Sequence, residues 1–404
     1  MVPGTVYLRS RLPTTTRRRC ALREVYLDYN ASAPLDPRVG EAMIPVLTAA
    51  TGNASSVHRF GRRQAGAVDE AREHVAALVG GRASGVVFTS GATEANNLAL
   101  RGVTEAADGI GPRILVSAVE HASVAGTARW LRDRGVAKLD VIGVDAGGSV
   151  EPAAVEELLG GDVALVSVMA ANSETGVLNP VGEIAERVRD CGARLHCDAT
   201  QMAGRLRFDM EALGVDLVSV SGHKMCGPAG VGALVGTRRG LRMLAPLIHG
   251  GGHERGLRSG SLNVAGIVGL GAAARLAVDE REAESARVGL LRDRLEAEIS
   301  AALGDVSQNG DVSRRLPNTA SLRFEGADAE AVATNMDPVA VSTGSACSAG
   351  SIEPSGVLLA MGLSRDAAFE SIRFSLGRFT TDTDVETAVQ AAVTAVGRVR
   401  AMTG

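Results

Sequence analysis

The chain has 404 residues, 45% of them hydrophobic and 22% charged, with a net charge of −4. That length suits one large two-part enzyme or two to three ordinary domains, and the slight acidity supplies no basic face of the kind nucleic-acid binding uses. No apolar run approaches the ~20 residues that cross a bilayer, so neither a membrane nor nucleic acid is an expected partner.

Met1 to Arg23 holds six arginines and no acid. It lacks the apolar centre of a secretory signal and reads as a disordered extension, with an organellar leader as the alternative. From Val25 onward short apolar runs alternate with amphipathic stretches. Ala65–Leu78 is patterned as a helix, Val86–Phe88 as a strand, Thr93–Gly102 as a helix and Ile114–Ser117 as a strand. Strand-like Ala164–Met169, helical Val181–Cys191 and strand-like Arg194–Cys197, Leu217–Val220 and Gly232–Val235 follow. Buried, non-alternating strands separated by helices predict an α/β protein built on a mainly parallel sheet.

Val264–Ala297 is helical, and its composition turns charged near Glu280. Leu316–Phe324 and Val339–Val341 then read as strands and Thr383–Ala401 as a helix. This predicts a large domain over residues 34–280 and a smaller α/β domain made of 24–33 and 281–404. Leu22–Ala33 is expected to pack across the junction. The cysteines are Cys20, Cys191, Cys197, Cys226 and Cys347, an odd and sparse set without C-x-x-C spacing. They argue against a disulfide framework and for a reducing, cytoplasmic setting.

Of the 42 basic residues, only Lys138 and Lys224 are lysines. Where arginine has replaced lysine so widely, a surviving lysine invites a chemical reason. Lys138 lies in a charged stretch and reads as solvated. Lys224 ends Ser221-Gly222-His223-Lys224, directly after a strand-like run. An amine can form a Schiff base and a guanidinium cannot. The tetrapeptide alone is equally compatible with an ordinary loop lysine.

Three further segments lie just past strand ends. Ser90-Gly91-Ala92-Thr93-Glu94 opens a helix, whose N-terminal N–H groups and dipole favour a phosphate. His121 could stack on a ring and handle protons. Asp198 could hold a protonated pyridine nitrogen. Each signal is weak alone, since an N-cap, a structural histidine and a turn aspartate explain them equally. Together they converge on the sheet edge where open α/β proteins bind ligands, and they describe a pyridoxal 5'-phosphate pocket.

The sequence resembles the cysteine desulfurases of the NifS/IscS type, within the class V, fold-type I family. The resemblance runs from Val25 to Arg378 through nine ordered motifs. They are Val25-Tyr-Leu-Asp-Tyr-Asn-Ala, Gly52-Asn-Ala-Ser-Ser-Val-His58, Ser90-Gly-Ala-Thr-Glu-Ala-Asn-Asn97, Glu120-His121, Asp198-Ala-Thr-Gln201 and Ser221-Gly-His-Lys224, then Gly250-Gly-Gly-His-Glu-Arg-Gly-Leu-Arg-Ser-Gly260, Ser342-Thr-Gly-Ser-Ala-Cys347 and Ser371-Ile-Arg-Phe-Ser-Leu-Gly377.

The resemblance implies a seven-stranded, mainly parallel sheet, a homodimer, and removal of sulfur from L-cysteine to give L-alanine and a persulfide on Cys347. It makes Lys224 the Schiff-base lysine, pairs Asp198 with the pyridine nitrogen, stacks His121 on the ring and sets Gln201 on the phenolic oxygen. Ala92, Thr93, Ser221 and His223 would hold the phosphate, and Ser261 would reach the phosphate of the other subunit. Arg373 would clamp the substrate carboxylate. The family commonly has Asn-Asn-Glu-Thr-Gly where this chain has Asn172-Ser173-Glu174-Thr175-Gly176. The cofactor-facing amide then becomes Ser173, with Asn172 beside the substrate. The length of Ser342–Leu358 resembles the long-loop branch, which passes sulfur directly to protein acceptors such as an iron–sulfur scaffold. Aminotransfer, selenocysteine lysis and cystine cleavage are alternatives on the same fold, and a non-catalytic scaffold is a more distant one.

Overall fold

The computed structural model describes residues 24–48, 51–107, 111–242, 244–343 and 353–403. A short β1 (Val25–Tyr26) precedes the strands of a seven-stranded sheet. These are β2 (Val86–Thr89), β3 (Arg113–Ser117), β4 (Lys138–Ile142), β5 (Val163–Ser167), β6 (Arg194–Asp198), β7 (Leu217–Ser221) and β8 (Gly232–Gly236). Their order is β2-β8-β7-β6-β5-β3-β4. β3 to β7 pair in parallel, and β8 alone runs antiparallel, to both β2 and β7.

Every residue of β2, β7 and β8 is buried. Continuous burial explains why these strands show no alternation: helices cover both faces. Within this sheet, β4 is the strand that sequence patterning passes over. It is an edge strand whose Lys138 and Val141 are exposed, so its composition reads as a charged surface stretch.

At the other edge, side chains satisfy the outer polar groups of β2. The N–H of Phe88 donates to Glu254 Oε2 (2.8 Å), and the Val86 carbonyl accepts from Arg72 (2.7 Å) and Arg255 (2.8 Å). Arg72 also grips the Glu254 carboxylate with two bonds, at 2.7 and 2.9 Å. An edge capped in this way cannot recruit another strand. It also secures the turn that follows β2.

A second set of strands comprises β9 (Val306–Gln308), β10 (Thr319–Phe324), β11 (Val339–Ala340), β12 (Ser342–Thr343) and β13 (Ser371–Ser375). Four of them form an antiparallel sheet ordered β12-β13-β10-β9, and β11 pairs with β1. The core splits accordingly. Val68, Phe88, Val166, Leu195, Val218 and Leu270 belong to the larger cluster, and Val25, Leu27, Leu295, Phe324, Ile372 and Val396 to the smaller.

One helix, Val264–Ala302, serves both: Ile267–Ala277 faces the first core and Val288–Ile299 the second. The expected boundary at residue 280 lies inside this continuous helix of 39 residues, within the stretch patterned as helical from the sequence. Among the described residues no helix is long and apolar enough to cross a membrane. Residues 1–23, expected as an extension, lie outside the described residues, as do Cys20 and Cys347.

Candidate active site

Carboxyl ends of β2, β6 and β7 meet the segment Asn30–Ala31 around a cavity of about 420 Å³. Ten of the expected site residues line it: Ala92, Thr93, His121, Ser173, Asp198, Gln201, Ser221, His223, Lys224 and Arg373. Chain segments separated by up to 343 positions, from Asn30 to Arg373, thus share one cavity. Asn172 and Ser261 do not line it, and Cys347 lies outside the described residues.

The floor is Asp198, at the end of β6 and only 4% exposed. Its Oδ2 accepts from Asn96 Nδ2 (2.7 Å) and its Oδ1 from the N–H of Thr200 (3.0 Å). A carboxylate has roughly four lone-pair directions, so it keeps capacity for a cationic N–H in the cavity. Asn96 spends its second amide proton on Ser123 Oγ (2.8 Å), which lies 2.8 Å from His121 Nδ1. The Ser123 N–H also donates to that nitrogen (3.1 Å), as the N-cap bond of the helix Ala122–Asp133. With Nδ1 committed as an acceptor, neutral His121 carries its proton on Nε2. Burial pushes the His121 pKa down and favours the neutral ring, against the pull of Asp198 toward the charged one.

At the mouth of β2, Gly91 has φ +154°, a conformation that L side chains rarely adopt. It precedes the helix Ala92–Glu105 and makes no side-chain cap bond to it. A β-carbon placed on Gly91 would meet only Ser221 Oγ, at 3.8 Å. The space before the helix N-terminus is therefore open and flanked by Thr93 and Ser221 hydroxyl residues. His223 faces the same space. Its pKa is lowered to about 4 by burial and by the positive charge of Lys224, leaving a neutral ring. Open amides, a helix dipole and hydroxyls suit a phosphate, and a buried carboxylate suits a pyridinium. The residues present fit pyridoxal 5'-phosphate on both counts.

Lys224 follows β7 in the short turn Gly222–Lys224. Its ammonium donates to the carbonyls of Asn30 (2.5 Å) and Ala31 (2.7 Å). Gln201 also donates its amide to Asn30 O (3.0 Å). Arg373, from the middle of β13, is 5% exposed. It donates to Asp28 Oδ1 (2.6 Å) and to the Ser173 carbonyl (3.0 Å). Its Nε is buried with no hydrogen-bond partner among the described residues.

Asn172 is spent on its own turn. It donates to the Val119 carbonyl (3.1 Å) and accepts from the N–H groups of Glu174 (2.8 Å) and Thr175 (3.0 Å). Asn30, Asn96 and Ser123 complete the site without having been singled out from sequence. Asn96 and Asn30 lay within motifs, but only tertiary contacts give them partners.

Residues 25–387 match the family model described as aminotransferase class-V. The chain belongs to the class-V aminotransferase family. It is 46% identical to the cysteine desulfurase IscS of Anaeromyxobacter dehalogenans, over 91% of each chain. A solved NifS-like protein superposes with a TM-score of 0.87 at 34% identity, covering 93% of this chain and 100% of that one. A structure described as SspA in complex with cysteine gives a TM-score of 0.78 at 32% identity, covering 88% and 100%. The family membership and the seven-stranded sheet agree with the fold-type I architecture expected from the motifs.

Proposed function

We propose that this chain is a cysteine desulfurase that takes sulfur from L-cysteine, leaves L-alanine and carries the sulfur as a persulfide on Cys347. The observation that carries the reading is the convergence of Lys224, Asp198 and His121 on one cavity in a chain so similar to desulfurases. The solved SspA complex with cysteine supports cysteine as the substrate.

Thr93, Ser221, His223 and the helix N-terminus would hold the phosphate of pyridoxal 5'-phosphate, Asp198 its ring nitrogen, Gln201 its phenolic oxygen and Lys224 its aldehyde carbon. When bound, the cofactor supplies an electron sink for the substrate's α-carbon. The Lys224 amine would be the group placed to move the substrate's α-proton. His121 would lie against the ring and offer Nε2–H to it or to the substrate. Arg373, braced by Asp28, turns its remaining donor capacity to the substrate carboxylate.

Sulfur transfer falls to Cys347. Its thiolate attacks the substrate sulfur; the S–S bond forms as the Cβ–S bond breaks, and the pair left on carbon takes up a proton. Ser342, which leads toward Cys347, sits opposite Arg373 in the β12–β13 register. After the segment, Ser355 donates to Glu174 Oε2 (2.5 Å), beside Ser173. Both ends of the Cys347 segment are thus anchored at the cavity's rim. The persulfide is passed to a sulfur-acceptor protein, in a homodimer and in the cytoplasm. Cys191, Cys197 and Cys226 are free thiols, in keeping with a reducing compartment.

Cys347→Ser tests the reading. Wild-type protein treated with cysteine should release alanine and gain one sulfur on the peptide holding Cys347. The serine variant should bind cysteine, with a change in cofactor absorbance, yet lose desulfuration by orders of magnitude. Added sulfur on Cys226, or normal sulfide release by the variant, would overturn the assignment.

A further inference from the structure

The motif Val25-Tyr-Leu-Asp-Tyr-Asn-Ala braces Arg373 through Asp28, and it also contributes a saturated polar residue. Asn30 is 1% exposed. Its backbone N–H donates to Ser375 Oγ (3.0 Å), and its Nδ2 donates to Thr319 Oγ1 (2.9 Å) and the Ser173 carbonyl (3.0 Å). Its Oδ1 accepts from Asn318 Nδ2 (3.0 Å). Its carbonyl accepts from Lys224 Nζ and Gln201 Nε2. Thr319 and Ser375 belong to β10 and β13, whereas Ser173, Gln201 and Lys224 belong to the larger sheet's loops. Asn30 bridges the two.

We propose that Asn30 is a positioning residue that seats the ε-ammonium of Lys224 between two main-chain carbonyls and ties that seat to the small sheet leading into Cys347. This rests on the reading of Lys224 as the cofactor lysine. The two carbonyls fix the lysine Nζ at a defined point beside the cavity whenever it is not bonded to the cofactor. Only an amide meets the demands of the site. A carboxylate would lack the donors to Ser173 and Thr319, and an aliphatic chain would also remove the acceptor of one of the two Asn318 amide bonds. A shift of β10 or β13 would move the Asn30 backbone, and the lysine with it.

Two lysines in the chain give an internal reference, because Lys138 sits exposed on an edge strand. Cofactor-free protein is labelled with limiting acetic anhydride, and the Lys224 to Lys138 ratio is read by peptide mass spectrometry. In wild type Lys224 should label more slowly than Lys138. Asn30→Ala should raise the ratio by roughly 3- to 10-fold, as expected for weakening a charge-assisted hydrogen bond. Thr319→Val, which touches Asn30 and not Lys224, should raise it in the same direction, and Thr319→Ser should match wild type.

The variants leave His121, His223 and Asp198, which share the cavity, unaltered. A folded Asn30→Ala protein with an unchanged ratio overturns the proposal, and so does equal labelling in the Thr319→Val and Thr319→Ser pair. If Asn30→Ala fails to fold, that pair decides alone. Borohydride reduction of the loaded wild-type protein separates the two readings: cofactor mass on Lys138 instead of Lys224 would sink the cofactor-lysine assignment, whatever the labelling ratios.

Discussion

Glu120 lies beside His121 in sequence but behind the cavity in space. Its Oε1 accepts from Ser117 Oγ (2.8 Å) and the Met169 N–H (2.6 Å), and its Oε2 is buried without a partner among the described residues. Burial, reinforced by the charge of Asp198, pushes its pKa from 4.5 up to about 8. The folded chain thus keeps a proton that the unfolded chain releases across that window. Stability from Glu120 is fully present below about pH 4.5 and declines as pH rises toward 8. Glu120→Gln imitates the protonated acid, since Oε1 keeps both donors. The variant's melting temperature should gain on wild type steadily between pH 5 and 8. Parallel curves over that range would mean the carboxyl is not held protonated. His196 behaves in the opposite sense. It is buried between Ser167 and Ser219 hydroxyls, its pKa is lowered to about 4, and it favours stability as pH rises through the range below its ordinary value of 6.5.

The decisive local element is the turn from β2 into the helix Ala92–Glu105. Its backbone at Gly91 needs the positive φ that glycine tolerates, and the residue opposite it is also glycine. A β-carbon on Gly232 would lie 2.7 Å from Gly91 Cα, so β8 approaches the turn as closely as a backbone can. Gly91→Ala puts a methyl into the open space before Ser221 and strains the backbone by about 1–3 kcal/mol. Affinity for pyridoxal 5'-phosphate, measured by absorbance titration, should fall at least tenfold. The denaturation midpoint of the cofactor-free protein should fall only by an amount matching the strain. Unchanged affinity in the variant would show that this cradle does not hold the phosphate. The same element shows how a short motif acquires meaning: Glu94 accepts from the Ser90 N–H (2.7 Å) and from Arg258 (2.8 Å), joining the turn to the Gly250–Gly260 segment.

That junction bears on the whole molecule. Ser261 follows the segment anchored by Arg258, is exposed on the single chain and stays outside its own cavity. The proposed role for such a hydroxyl is at the phosphate of a second copy. Sedimentation of the loaded protein should give twice the chain mass. Ser261→Ala should remain dimeric and bind the cofactor a few-fold more weakly. A fully active monomer, or a Ser261→Ala protein of unaltered affinity, would remove the basis for a shared site.

Much of this protein was legible along the chain. The strands at β2, β5, β6, β7 and β8 stand out because burial on both faces demands continuous apolar runs, and Lys224 stands out because arginine surrounds it everywhere else. Motif order carried the family. Local sequence could not show that Asn172 would turn inward to bond its own loop while Ser173 faced the cavity, because adjacent residues differ only in direction. Nor could it show β4, whose exposed edge dilutes the apolar signal, or that the helix patterned over Val264–Ala297 would serve two cores, since that depends on its neighbours. The pairing of Asn30 with Lys224, and of Asn96 with Asp198, belongs to the tertiary structure alone: hydrogen bonds between groups 194 and 102 positions apart exist only once two sheets and their loops have closed on one another.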